Sequence, residues 1–179
     1  MDSAIIPDTA DRRLHHVLRH WLDIRGDKLL PARTDIDPVA IWDALPYVWL
    51  CDYDRVNQRF RFRLAGEELN FFHHGNLVGR FLDELVPREH APCVNNIYLK
   101  VINNPCILYA EGSIYSCTRQ ATRGERLVLP LLADDNSPGL IMGVTVTSYE
   151  PTLNSIQTEN RLDNHFIPLL KPSRCAALV

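Results

Sequence analysis

Histidines and cysteines are the residues of this 179-residue chain with the most obvious chemical potential. His73 and His74 are adjacent and stand just before Gly75. Neighbouring residues on a helix point about 100° apart, so the pair is poorly placed to grip one ion. The spacing suits the end of a short helix with one half-buried imidazole, and His73 can offer that ring to a ligand in a pocket. His16 and His20 have the i, i+4 spacing of a helical metal pair. No Glu completes an HExxH pattern, and Arg12, Arg13 and Arg19 surround them with like charge, so a solvated helix face is expected. Cys51, Cys93, Cys106, Cys117 and Cys175 are scattered, odd in number and form no CxxC, which predicts neither a disulfide framework nor a zinc site. Without a neighbouring base, core packing is the default for such thiols. Asp134-Asp135-Asn136 lacks the ligand spacing of a calcium loop and reads as a turn.

Arg59, Arg61 and Arg63 alternate with Phe60, Phe62 and Leu64, so a basic stripe and an apolar stripe lie on opposite faces of one strand. A nucleic-acid surface interleaves aromatic and basic side chains on the same face. Pairing of these arginines with Asp52, Asp54, Glu67 and Glu68 is expected instead. The net charge of -3 agrees in excluding a general nucleic-acid binder. No GxGxxG, Walker or GxSxG motif occurs. No apolar run has the length of a membrane span, and the N-terminus lacks the pattern of a secretory signal, so a reducing, cytoplasmic setting without membrane insertion is expected.

The elements that must position these residues follow from periodicity. A helix is predicted from Asp11 to Arg25, where Leu14, Val17, Leu18, Trp21 and Leu22 make one apolar stripe. Asp8 or Thr9 can cap it and Gly26 ends it. Its stripe must be buried against a sheet or a partner chain. Asp37-Pro38 opens a short helix that closes at Pro46. Tyr47–Asp54 and Arg59–Leu64 form a hairpin. After Gly66 the period lengthens, and Leu69, Phe72 and His73 share one helical face that Gly75 terminates. A longer helix spans Pro92–Asn103 with the stripe Val94, Ile97, Tyr98, Val101 and Ile102. Strands follow at Cys106–Ser116, Glu125–Ala133 and Gly139–Tyr149. The pattern weakens from Glu150. Strands segregate from helices, which defines an α+β domain with an antiparallel sheet.

LPARTDIDP followed by LPYVWL, then RFRFRLAGEEL, GRFLDEL, and ERLVLPLLADD running into GLIMG, resemble in order and spacing a PAS domain of a bacterial stand-alone PAS-like family. The resemblance covers about Leu30 to Tyr149. It implies a five-stranded antiparallel sheet with a helical connection between strands two and three, here preceded by the amphipathic helix. The expected layout is a helical extension at 1–29, the PAS-like domain at 30–149 and a C-terminal extension at 150–179. The family implies a sensory, ligand-binding or protein-interaction module with a cavity between sheet and helices. The Asn-Cys-Arg motif of light-sensing flavin versions is replaced by Asn76-Leu77-Val78-Gly79-Arg80, and no histidine lies within the long helix as in haem versions, so no cofactor is expected.

Phe62, Leu64, Phe72, His73, Tyr98, Val101, Leu129 and Val144 are the candidate lining of that cavity, for a small apolar or amphipathic ligand. The expected role is a non-enzymatic signalling module acting on a separate protein partner, with homodimerisation through the N-terminal helix. The alternatives are a small cavity enzyme of isomerase or dehydratase type, which needs a carboxylate beside His73, and a ligand-free scaffold.

Overall fold

A computed structural model describes residues 5–114, 122–148 and 162–169. Helix α1 (Arg12–Arg25) leads to the hairpin β1 (Val48–Asp54) and β2 (Arg59–Ala65). Short helix α2 (Glu67–Phe72) and a 3-10 turn at Leu82–Leu85 precede the long helix α3 (Ala91–Asn103). Strands β3 (Cys106–Ile114), β4 (Thr122–Leu132), β5 (Pro138–Ser148) and β6 (Leu162–Pro168) follow. The sheet has the order β2-β1-β5-β4-β3-β6, with every neighbouring pair antiparallel. The α+β class and the helical connection after β2 match the sequence expectation. The sixth strand does not: 162–168 pairs with β3 from Gly112 back to Cys106, inside the segment expected to be an extension. Its alternation is masked by polar Asp163, Asn164 and His165, because an edge strand needs fewer apolar residues.

Both faces of the sheet are covered, and alternation decides which residue serves which face. On one face, Leu14, Val17, Leu18 and Trp21 of α1 are fully buried against Leu127, Leu129, Leu131, Met142 and Val144. The stripe expected to join two copies is therefore occupied within one chain, because the sheet supplies the apolar surface it needs. Asp11, rather than Asp8 or Thr9, caps α1, accepting from the Arg13 N–H at 2.8 Å. The Asp11 N–H donates to Glu125 at 2.8 Å, and the Tyr109 hydroxyl bonds the other oxygen of the same carboxylate. The Trp21 indole donates to the Pro130 carbonyl at 3.2 Å, which fixes the middle of the helix on β4. His16 meets Asp43 at 3.0 Å, and the His20 ring accepts from the Asp37 N–H at 3.0 Å, so the two rings tie α1 to different parts of the following segment.

On the other face, Trp49, Cys51, Phe60, Phe62, Leu108, Val128 and Ile141 meet Tyr98, Val101 and Ile102 of α3 and Leu69, Leu77 and Leu82 of the connection. The phenylalanines of β2 and the apolar side of α3 thus share one interior: the Phe60 and Tyr98 rings lie 5.9 Å apart, edge to face. Among the described residues no helix is long and apolar enough to cross a membrane.

The arginine stripe of β2 holds the connection in place. Arg61 pairs with Asp54 at 2.8 Å, and Arg63 reaches Asp52 at 3.4 Å and Asp134 at 3.1 Å. Arg59 forks onto Asp83 at 2.6–3.0 Å and lies 3.9 Å over the Phe81 ring. That bidentate contact anchors the turn carrying Leu82 and Leu85. The arginines thus pair with Asp83 and Asp134 beside Asp52 and Asp54, where the hairpin reading expected Glu67 and Glu68.

Candidate functional site

The α3 face is not fully packed. A cavity of about 710 Å³ lies between the sheet and the helical connection. Its floor is formed by Trp49, Phe62, Leu108, Ile114 and Arg126 of the strands, and Val94, Ile97 and Tyr98 of α3 form one wall. Leu82, Leu85 and Pro87 form another, Leu69 and His73 close the α2 end, and Leu162 and Asn164 of β6 close the far end. The volume falls within the range of about 300–1,000 Å³ of small-molecule sites, and the wall is mainly apolar with a few polar groups, as such sites are.

Trp49 is set by a gap on the neighbouring strand. Its cross-strand partner on β5 is Gly143, and a side chain there would collide with the indole. The ring therefore lies flat on the glycine backbone, edge to face with Phe62 at 6.1 Å and Tyr98 at 5.9 Å between centroids. Its N–H donates to the Thr145 hydroxyl at 3.0 Å. Thr145 is a buried polar residue, and the same oxygen accepts from Arg126 Nε at 3.0 Å, since Arg126 and Thr145 are cross-strand partners on β4 and β5. Arg126 Nη1 then donates to the Tyr98 hydroxyl at 3.0 Å. One chain of bonds thus links β1, β5, β4 and α3 across the cavity floor.

His73 caps α2, its N–H donating to the Leu69 carbonyl at 3.1 Å, and its ring meets Phe72 edge to face at 5.5 Å. Burial, reinforced by the positive charges of Arg126 and Arg80 and by His74, lowers its pKa to about 4. The ring is neutral at neutral pH. His74, not Gly75, takes the left-handed conformation after the helix, with φ 54°, and the Gly75 N–H closes onto Asn70.

Of the eight residues expected to line the pocket, Phe62, His73 and Tyr98 do so. Leu64 is 42% exposed. A register shift between Leu50 and Cys51 inserts Arg63 as an extra residue, so the alternation reverses and Ala65, not Leu64, turns inward. Phe72 is half-buried beside His73 without lining the cavity, and Val101 is packed a turn beyond Tyr98. Leu129 and Val144 belong to the α1 face. The residues missing from that expectation are chiefly Trp49, Arg126 and Asn164 of the lining, with Thr145 behind them. Parity carried a signal for two of them: Arg126 shares a face with Val128, and Thr145 with Gly143 and Ile141, opposite the leucines that meet α1. The thiols divide as well. Cys51 and Cys106 are buried, and burial pushes both thiol pKa values up, whereas Cys93 is exposed and lines the cavity mouth. Its place on the outer side of the first turn of α3 explains the departure from core packing. Cys117 and Cys175 lie outside the described residues.

The family model of the PAS domain matches residues 10–146, a span that includes α1 and ends in β5. A solved structure of a variant of Vivid (VVD) is similar at 12% identity over 83% of this chain and 100% of that chain, with a TM-score of 0.44. No curated protein matches the chain. With more than half its length matched by the family model, the chain belongs to the PAS domain family.

Proposed function

We propose that this PAS domain is a sensory module that binds a small molecule in the cavity beneath α3 and passes the occupancy to a separate protein. The observation that carries this reading is the hollow of about 710 Å³, walled by apolar side chains and floored by an ordered chain of polar bonds. A filled core would favour a scaffold; this face of the sheet is hollow while the other is packed. An enzyme of isomerase type needs a carboxylate beside His73, whereas among the described residues the charged neighbours of its ring include Arg126, Arg80 and His74. Occupancy can be read out because α3 and the Leu82–Leu85 turn both contact the cavity and both reach the surface, so a ligand that favours one arrangement of them shifts its population. A bacterial setting belongs to the same reading through the PAS-like resemblance, and a cytoplasmic one through the scattered, unpaired pattern of the cysteines in the sequence.

The test is binding of the neutral fluorophore N-phenyl-1-naphthylamine to the full chain, followed by fluorescence, with alkylation of Cys93 followed by peptide mapping. Binding should approach one equivalent, slow the alkylation of Cys93, and weaken in Ile97→Trp, where the larger ring projects into the hollow. A chain that ignores the probe, or binds it equally well with Ile97→Trp in place, contradicts the reading.

A further inference from the structure

We propose that the ligand of this cavity is an uncharged, largely hydrocarbon molecule whose polar group is a carbonyl that accepts the phenolic proton of Tyr98. This rests on the ligand-binding reading above and adds the chemical class. Three observations lead to it. Tyr98 lines the cavity and is only 3% exposed. Its oxygen accepts from Arg126 Nη1 at 3.0 Å, its ring meets Trp49 and Phe60 edge to face, and among the described residues no group accepts its proton. A buried hydroxyl proton left unpaired costs free energy that an acceptor on a ligand recovers. Next, the polar network of the floor offers a ligand no open acceptor. The Thr145 oxygen already accepts from the Trp49 indole and from Arg126 Nε, and the Tyr98 oxygen accepts from Arg126. A ligand hydroxyl or amine over this floor would bury its own proton unpaired, whereas a carbonyl brings an acceptor and no donor. Finally, an ionised group finds no open counter-charge inside. No Asp or Glu is among the described lining residues, His73 is neutral at neutral pH, His90 stands at the exposed rim, and Arg126 is engaged by Thr145, by Tyr98 and by a further interaction. A buried charge without a partner is expensive. Phe62, Leu82, Leu85, Val94 and Ile97 offer no hydrogen-bonding side chain, so the body of the molecule is hydrocarbon-like.

The donor is held in place before any ligand arrives. Contacts with Trp49 and Phe60 fix the Tyr98 ring, and Arg126, itself tied to Thr145, takes one side of the hydroxyl oxygen. The O–H is left to turn away from the guanidinium, and accepting from a cation polarises it into a stronger donor. Little side-chain ordering therefore opposes binding.

The experiment uses the unaltered full chain carrying N-phenyl-1-naphthylamine, and compares its displacement by undecan-2-one, undecan-2-ol, decanoate and decylamine below their solubility and micellar limits. Undecan-2-one should displace the probe at concentrations about three- to ten-fold lower than undecan-2-ol, the range of one neutral hydrogen bond. The two ions should be weaker than either. Tyr98→Phe, which keeps the ring and removes the proton, should abolish the advantage of the ketone over the alcohol. Should Tyr98→Phe not fold, the ranking of the four compounds on the unaltered chain decides alone. An alcohol, acid or amine that matches the ketone on the unaltered chain overturns the proposal, as does a folded Tyr98→Phe that keeps the preference for the ketone. In those cases the probe still binds and only the assignment of a neutral carbonyl compound falls; failure to take the neutral probe at all is the failure of the ligand-binding reading itself.

Discussion

The two faces of this sheet are built from alternate residues of the same strands, yet they behave differently. Beneath α1, Leu127, Leu129 and Leu131 of β4 and Met142, Val144 and Val146 of β5 are buried among leucine, valine and tryptophan, and the helix sits directly on them. Beneath α3, the interleaved positions hold Arg126, Val128, Gly143 and Thr145, and the helix stands off far enough to leave a chamber. Stability is concentrated on the first face and chemical variety on the second. A glycine and a threonine among β5's cavity-facing residues would be poor choices for a packed core, but they give Trp49 room and an acceptor for its indole. The difference teaches that a half-polar strand face need not be a solvent face; here it is the floor of a chamber beneath a helix.

Substitutions that treat the two faces unequally test this contrast. The largest expected effect is on the packed side. Trp21→Ala removes a fully buried ring and its bond to Pro130, and should cost about 3–5 kcal/mol in denaturant unfolding, without altering the probe affinity of whatever fraction stays folded. Next, Gly143→Ala drives a methyl group into the Trp49 ring and should cost about 1–3 kcal/mol as overpacking. Unlike Trp21→Ala, it should also weaken probe binding, because Trp49 forms part of the chamber floor; unchanged affinity would place the indole elsewhere.

The third effect depends on pH. His73 has a pKa lowered to about 4 by burial and neighbouring positive charge, against an ordinary value near 6.5. Between these values the unfolded chain binds the proton and the folded chain does not, so stability falls as the pH drops from about 6.5 towards 4. Because the ring is only partly buried, the loss should be on the order of 1 kcal/mol. His73→Gln should flatten that part of the stability profile, and an unchanged slope would assign it to other groups. The smallest effect is expected at Ile97. It already faces the hollow, so Ile97→Ala should cost about 1 kcal/mol, well below a fully packed Ile→Ala. A cost of several kcal/mol would mean the chamber is filled by the protein itself.

Much of the fold was legible because it rests on period and punctuation. The stripes of α1 and α3, the alternation of β2 and the turn residues around Asp135 each specify one local structure, and their order specifies the α+β sheet. The site was legible only in part. Tyr98 and Phe62 belong to those stripes, and His73 follows from the short helix after Gly66. Leu64 was lost to a bulge, a feature that adds one residue and reverses every later side chain. Leu129 and Val144 were lost because strands buried on both faces read as continuous apolar runs, in which periodicity does not say which residue faces which helix. Strand β6 was lost because it is short, polar and separated from β5 in sequence, and its place is set by the free edge of β3. Arg126 was hidden for a related reason: an arginine in a strand reads as a solvent-facing residue until the sheet is seen to be covered on both sides.

The chamber beneath α3 is the claim on which the remainder depends, and native mass spectrometry of freshly purified chain tests it most directly. The unaltered protein should carry a small molecule, released on denaturation, that Ile97→Trp lacks. A bare mass for the unaltered chain, or the same adduct on both proteins, would contradict it.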